Sequence, residues 1–311
     1  MLRRVMMAVS ASDRIRDVMI TAPVARDVVA RFVAGATQDD ALRVTKELLG
    51  QGLLVTLDHL GEHTTDPEQA AAAADEYIRL LGRLADEGHA RAGRAEVSVK
   101  PTAVGLGLKD HGEKTARENI TRIAAAAAAA GTTVTMDMED QHLVEPTVRM
   151  LHELRKDFPD LGCVIQSYLR RSAADCAALS VAGSRVRLCK GAYDAAEEVA
   201  YTGRAEVDRS YVRCLRALLA GSGYPMLATH DPRLIEIIQA QTILAGLPAD
   251  GFEYQMLYGI RPAEQRRLAN QGSRVRVYVP YGSDWYGYLT RRLVERPANL
   301  TFFLRSLISR R

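Results

Sequence analysis

The segment AAAAAAAGTTVTMDMED, from Ala124 to Asp140, holds one complete unit of the fold. Its seven alanines combine the highest helix propensity with a side chain small enough to pack closely on a sheet. Gly131 closes that helix. A short run rich in β-branched residues, 132–136, follows and ends in three carboxylates, Asp137, Glu139 and Asp140. Helix, glycine, short strand and polar strand end together form the repeat of parallel α/β architecture.

Outward from this unit the pattern recurs in both directions. Strands are predicted over 53–57, 97–99, 132–136, 163–166, 186–189, 225–228, 252–256 and 274–279, and every gap holds enough chain for a helix and two loops. Asp66 is placed to cap a helix with Pro67 at its first position, and Gly88 follows the last turn. Eight βα units predict an α/β fold of the (β/α)8 TIM type. A doubly wound sheet is the alternative, because strand order is not written in a sequence. Before the first strand, residues 23–50 read as two extra helices, broken at Gly35 and Thr37-Gln38-Asp39-Asp40. No linker rich in Pro, Gly or Ser divides the chain. The expected organisation is one domain over 1–311, with 1–52 as an N-terminal helical extension and 53–311 as barrel and C-terminal helices.

Composition narrows the class. The 311 residues carry 41 Lys and Arg against 38 Asp and Glu, a formal charge of +3, and 47% are hydrophobic, which excludes disorder and collagen-like repeats. No apolar run reaches the ~18 residues of a spanning helix. Met1-Leu2-Arg3-Arg4 begins like a signal peptide, but the apolar stretch behind it is shorter than the ~7–15 residues required, so a cytoplasmic location is expected. The small charge predicts no nucleic-acid partner. The basic, amphipathic segment 304–311 reads as a solvated helix end. Cys163, Cys176, Cys189 and Cys214 form no C-x-x-C pair and read as reduced core thiols. His59 and His63 have H-x-x-x-H spacing, but Gly61 breaks the helix that a metal site would need. The Asp137-Glu139-Asp140 group has a better use in pairing with cations, and no metal is expected.

In a barrel, catalytic groups lie at the C-terminal ends of the strands. Those ends carry Lys100, Asp137, Gln166, Tyr168, Arg170, Arg171, Arg187, Lys190, Gly191, Tyr193, Thr229, His230, Asp231, Tyr258, Tyr278 and Tyr281, which are predicted to converge on one mouth. Charges are costly to bury unpaired, so this density points to a ligand. Arg291 and Arg292, in a helix after strand eight, suit a carboxylate together with Lys100. Arg187 can stabilise negative charge on an electron-accepting ring, Gln166 can pair with an imide edge, and Gly191 permits close backbone approach. Those needs match a flavin, held without any Gly-x-Gly-x-x-Gly motif or P-loop. A different chemistry is open at Lys190, which could form a Schiff base as in a lyase or aldolase.

Segments 58–62, 98–100, 136–140, 166–171, 187–193, 228–230, 252–259, 278–282 and 285–299 resemble, in order, the proline dehydrogenase family in its monofunctional bacterial form. The most specific pairing is Arg-Leu-x-Lys-Gly-Ala-Tyr at 187–193 with Tyr-x-x-Arg-Arg at 288–292. The resemblance implies a distorted barrel whose last helix sits over the mouth. It implies FAD as cofactor and oxidation of L-proline to Δ1-pyrroline-5-carboxylate by hydride transfer to flavin N5. Lys100, Arg291 and Arg292 would hold the substrate carboxylate, while Tyr193, Leu257, Tyr278, Tyr288 and Ala192 would wall the ring. Asp137 would orient the arginine clamp and Arg187 would lie near the reactive nitrogen. Met138, Gln166, Lys190, Gly191, Ala192, Thr229 and His230 would join Arg187 in holding the flavin, and Glu295 matches the family's acidic residue on the last helix. The family further implies a quinone or another electron acceptor, a separate pyrroline-5-carboxylate dehydrogenase downstream, and peripheral membrane contact, for which the basic C-terminus is a candidate. Asp194 and Asp231 depart from the residues common in relatives. No ribbon-helix-helix segment or aldehyde dehydrogenase domain is expected. A silent barrel that binds proline or a partner protein is a third reading.

Overall fold

The computed structural model describes residues 29–62, 64–191 and 193–288. Eight parallel strands close into a barrel in sequential order: β1 (Leu54–His59), β2 (Ala95–Val99), β3 (Val134–Met136), β4 (Gly162–Gln166), β5 (Arg185–Cys189), β6 (Tyr224–Ala228), β7 (Glu253–Leu257) and β8 (Val275–Tyr281). The doubly wound alternative is thereby excluded. Between them run α2 (Pro67–Asp86), α3 (Gly112–Ala129), α4 (Val144–Leu154), α5 (Ser172–Leu179), α6 (Arg204–Ala220), α7 (Pro232–Leu244) and α8 (Pro262–Asn270), with α1 (Gln38–Gly50) ahead of β1.

Local chemistry sets the boundaries. Thr37 and Asp40 cap α1 reciprocally, which is why the chain breaks there. The Asp66 carboxylate accepts the Gln69 N–H at 2.9 Å and starts α2 at Pro67. In α3, Ala124 and Ala127 of the alanine run are buried against the barrel. Residues 29–32 continue the N-terminal helical pattern, while 23–28 lie outside the described residues. Several predicted strand ends shift, and two have a visible cause. The Thr132 and Thr133 hydroxyls donate to the carbonyls of Ala95 and Asp160 instead of continuing a strand, so β3 begins at Val134. β1 runs to His59 because β8 continues through Pro280 to Tyr281 and stays in register with it.

Strand residues alternate between two interiors. One set, including Val55, Leu57, Val97, Val99, Met136, Leu188, Met256 and Val277, packs with the helices into the main apolar core. The other set meets inside the barrel and is polar. Arg187 of β5 bonds Ser98 of β2, and Tyr278 of β8 bonds Asp137 just after β3, across strands that are not neighbours. Barrel interiors are usually filled by Val, Ile and Leu, so this polar filling is the departure to explain. Cys163, Cys176 and Cys214 are buried free thiols and Cys189 is half-buried. Among the described residues, no helix is long and apolar enough to cross a membrane.

Candidate active site

A cavity of about 730 Å³ opens at the C-terminal ends of the strands, within the range that holds drug-sized ligands and cofactors. Lys100, Asp137, Met138, Gln166, Arg187, Lys190, Gly191, Tyr193, Thr229, His230, Leu257, Tyr278 and Tyr288 all line it. Ala192, Arg291, Arg292 and Glu295 lie outside the described residues, as does His63.

One wall is built on ion pairs. Lys100 follows β2, and its ammonium donates to both oxygens of Asp58, at 2.7 and 2.6 Å, with Asp137 Oδ2 at 3.8 Å. Burial pulls the Lys100 pKa down, but the Asp58 and Asp137 carboxylates outweigh it and hold the lysine above its ordinary value. Asp137 is the hub. Its Oδ1 accepts from Ser98 Oγ at 2.7 Å and from Arg187 Nη1 at 2.8 Å, and its Oδ2 accepts the Tyr278 hydroxyl at 2.8 Å. Burial and then the Asp137 and Asp58 charges raise the Tyr278 phenol well above its usual pKa, so it stays a donor. The Arg187 guanidinium carbon lies 5.3 Å from the Tyr278 ring centre. Arg187 Nη2 is buried without a hydrogen-bond partner among the described residues, and Glu96 Oε1 lies 4.0 Å from it.

The opposite wall follows β4, β5 and β6. Gly191 has φ +101°, and a Cβ there would sit 2.2 Å from the Tyr168 ring and 3.1 Å from Gln166 Oε1, so no other residue fits. The Gln166 amide donates to the Glu139 carbonyl at 2.7 Å. Lys190 Nζ lies between Asp208 Oδ1 at 2.5 Å and Asp231 Oδ2 at 3.2 Å. Asp231 also caps α7 through the Arg233 N–H; partial burial raises its pKa, but Arg233 and Lys190 bring it down to about 2. His230 Nε2 accepts the Leu257 N–H at 2.8 Å, which places the proton of a neutral ring on Nδ1.

Not every strand-end residue converges. Arg170 stacks on Tyr201 at 4.6 Å, and Arg171 pairs with Glu145 and Asp175 at the surface. The chain after β4 turns outward, with Leu169 bridging Ala200. Glu139 is buried among the Thr102 donors, Asp140 caps the turn at His142, and Tyr281 reaches Glu76. Conversely, Asp58 and Arg204 line the cavity without having been given a site role, and Gln255, within the predicted strand seven, lines it as well. Asp58 was legible as the residue two beyond Thr56 on the same strand face, had β1 been read to its full length. Gln255 stands two beyond Glu253 in the same way.

The family model described as proline dehydrogenase matches residues 41–305. Among curated proteins, the chain is 38% identical over 284 residues to proline dehydrogenase of Deinococcus radiodurans, covering 91% of this chain and 90% of that one. It is 36% identical to proline dehydrogenase 1 of Bacillus subtilis, covering 90% of each. Among solved structures, proline utilization A (PutA) from Bdellovibrio bacteriovorus superposes with a TM-score of 0.81 at 28% identity, over 87% of this chain; the chain spans 33% of that polypeptide. PutA from Corynebacterium freiburgense has a TM-score of 0.75 at 20% identity over 100% of this chain and 34% of its own, a likeness of fold. By the extent of these matches, the chain belongs to the proline dehydrogenase family.

Proposed function

We propose that the mouth cavity oxidises L-proline to Δ1-pyrroline-5-carboxylate with FAD as the resident electron acceptor. Proline oxidation is the activity of the family to which the chain belongs. The observation that carries the assignment to this cavity is the convergence of Lys100, Asp137, Arg187 and Tyr278 on one wall, opposite a glycine cradle.

The residues present fit a flavin. Gly191 leaves room against Tyr168 that any Cβ would fill, and Arg187 Nη2 is a buried donor without an acceptor among the described residues. Met138, Gln166, Arg187, Lys190, Gly191, Ala192, Thr229 and His230 would hold the group. Bound there, it supplies a two-electron acceptor for the hydride leaving the carbon beside the substrate nitrogen. Lys100 with Arg291 and Arg292 binds the proline carboxylate, and Asp58 keeps the Lys100 ammonium charged and fixed for that task. Tyr193, Leu257, Tyr278, Tyr288 and Ala192 enclose the ring and exclude water. Asp137 fixes Arg187 and Tyr278 directly, and its role towards the Arg291 and Arg292 clamp is part of the same proposal. Arg187 provides the positive charge that favours electron transfer out of the substrate.

The lyase alternative loses ground at Lys190. Schiff-base chemistry needs a free amine facing the substrate, whereas this Nζ is held by two carboxylates. The wider setting we propose is a cytoplasmic enzyme, peripheral to the membrane, that passes electrons to a quinone or a similar acceptor. Its product would go to a separate pyrroline-5-carboxylate dehydrogenase.

An anaerobic visible spectrum of the FAD-reconstituted protein tests the reading. Bleaching of the flavin bands by L-proline and not by D-proline is the expected result. A protein that takes up no flavin overturns the cofactor assignment, and bound flavin that never bleaches overturns the substrate.

A further inference from the structure

We infer that Gln255 is a positioning residue for the reaction, a neutral acceptor that fixes the Arg187 guanidinium while leaving its charge available to the cavity. The inference rests on the proposed placement of Arg187 beside the flavin. Gln255 lies on β7, is 3% exposed and borders the cavity. Its Oε1 accepts from Arg187 Nε at 2.5 Å, and its Nε2 donates to Glu253 Oε1 at 2.6 Å. Glu253 is fixed in turn by Arg276, whose Nε and Nη2 donate to its two oxygens at 2.7 and 3.1 Å.

The amide orientation follows from these neighbours. A guanidinium only donates and a carboxylate only accepts, so the bridging group must offer an acceptor on one side and a donor on the other. A glutamine does both without charge. A glutamate would press a second carboxylate against Glu253 and add a full negative charge at Arg187 Nε. A leucine would leave that buried N–H unmet.

Charge placement gives the device its purpose. Among the described residues, the carboxylate that bonds Arg187 directly is Asp137, and Asp137 is shared with Ser98, Tyr278 and the neighbouring Lys100. Glu96, 4.0 Å from Arg187, is taken by Arg185 at 2.7 Å. Gln255 thus separates Arg187 from the full charge of Glu253 and transmits only geometry.

The test uses the FAD-loaded full chain. In Gln255→Glu, the oxidised form of the bound flavin should gain at least about tenfold over the reduced form, a fall of about 30 mV for a two-electron couple. In Gln255→Leu, the rate of flavin reduction by proline should fall about tenfold or more while the proline KM stays within about threefold. Arg187→Met, which removes the charge, separates the two levels of the argument. If it moves the potential and Gln255→Glu does not, the role of Gln255 is overturned and the flavin reading stands. If neither moves it, the placement of Arg187 fails and the inference with it. If Gln255→Glu retains no flavin, Gln255→Leu decides, and an unchanged reduction rate there overturns the proposal.

Discussion

Two clusters of buried charge occupy the same barrel and end differently. At the base, the Glu96 oxygens accept from Thr56, Thr135 and Arg185, while Arg276 donates to Glu253 and to the carbonyls of Val55 and Gly93. At the mouth, Lys100 bonds Asp58, Asp137 accepts from Arg187 and Tyr278, and all five border open volume. Both pair acids with cations inside the barrel, with Glu96, Glu253 and Arg276 fully buried at the base and Asp137 and Tyr278 half-buried at the mouth. What separates them is where most of the remaining bonding capacity goes, into main-chain carbonyls and threonines at the base, where Arg185 Nη1 is the exception, and towards a cavity at the mouth. A charge inside a barrel is therefore no functional signal until its unspent face is known.

The sharpest way to break this comparison is Arg276→Met. It leaves Glu253 and two carbonyls short of a donor, and breaking a buried pair in this way costs about 3–5 kcal/mol. Urea unfolding should register that loss, while turnover per folded molecule should fall less than in Gln255→Leu, because Gln255 still accepts from Arg187; a loss of turnover as large as that of Gln255→Leu would merge base and mouth into one functional unit. Lys100→Met should act the other way. It should raise the proline KM about 100-fold, equivalent to about 2.7 kcal/mol. It should also cost less stability than Arg276→Met, because burial raises the Asp58 pKa and the carboxyl left behind can take up a proton. An unchanged KM would remove Lys100 from the carboxylate site.

Acid titration offers the mildest test. Burial raises the Glu96 pKa, but Arg185, Arg276 and Arg187 outweigh it and bring the carboxyl down to about 2 from 4.5. A depressed folded pKa contributes stability that is present above the unfolded value and is lost as pH falls towards the folded one. Between pH 4.5 and 3 this carboxylate should account for roughly 2 kcal/mol of lost stability. Glu96→Gln should flatten that part of the profile, and an unaltered slope would show that the base network does not hold its charge as described.

The architecture was readable because each unit carries its own punctuation. Asp66-Pro67 and Gly131 mark helix ends by chemistry that does not depend on the rest of the molecule. Strand ends were less legible where a distant partner decides them, as Tyr281 does for His59. The charged wall was legible in the same local way, since Lys100, Asp137 and Arg187 stand at strand ends. Asp58 was not, because its meaning comes from Lys100, 42 positions away. Arg170 and Arg171 misled for the converse reason. Position after a strand does not fix direction, and the chain beyond β4 turns to the surface. Gln255 carries no charge to attract notice, and its importance lies in having both a donor and an acceptor.

Closure of the barrel sets a timetable for synthesis. β1 pairs with β8 from Leu54 and Arg276 to His59 and Tyr281, Arg276 bonds the Val55 carbonyl, and the Gly282 N–H reaches back to Gly35. At a synthesis rate of about 5–20 residues per second, β1 waits roughly 10–45 s after leaving the ribosome before that partner strand exists. Through that interval one edge of the strand offers its main chain to any neighbour, and an exposed edge of this kind invites pairing between chains. The nascent protein is thus most exposed to aggregation early, at the end of the molecule that appears finished first.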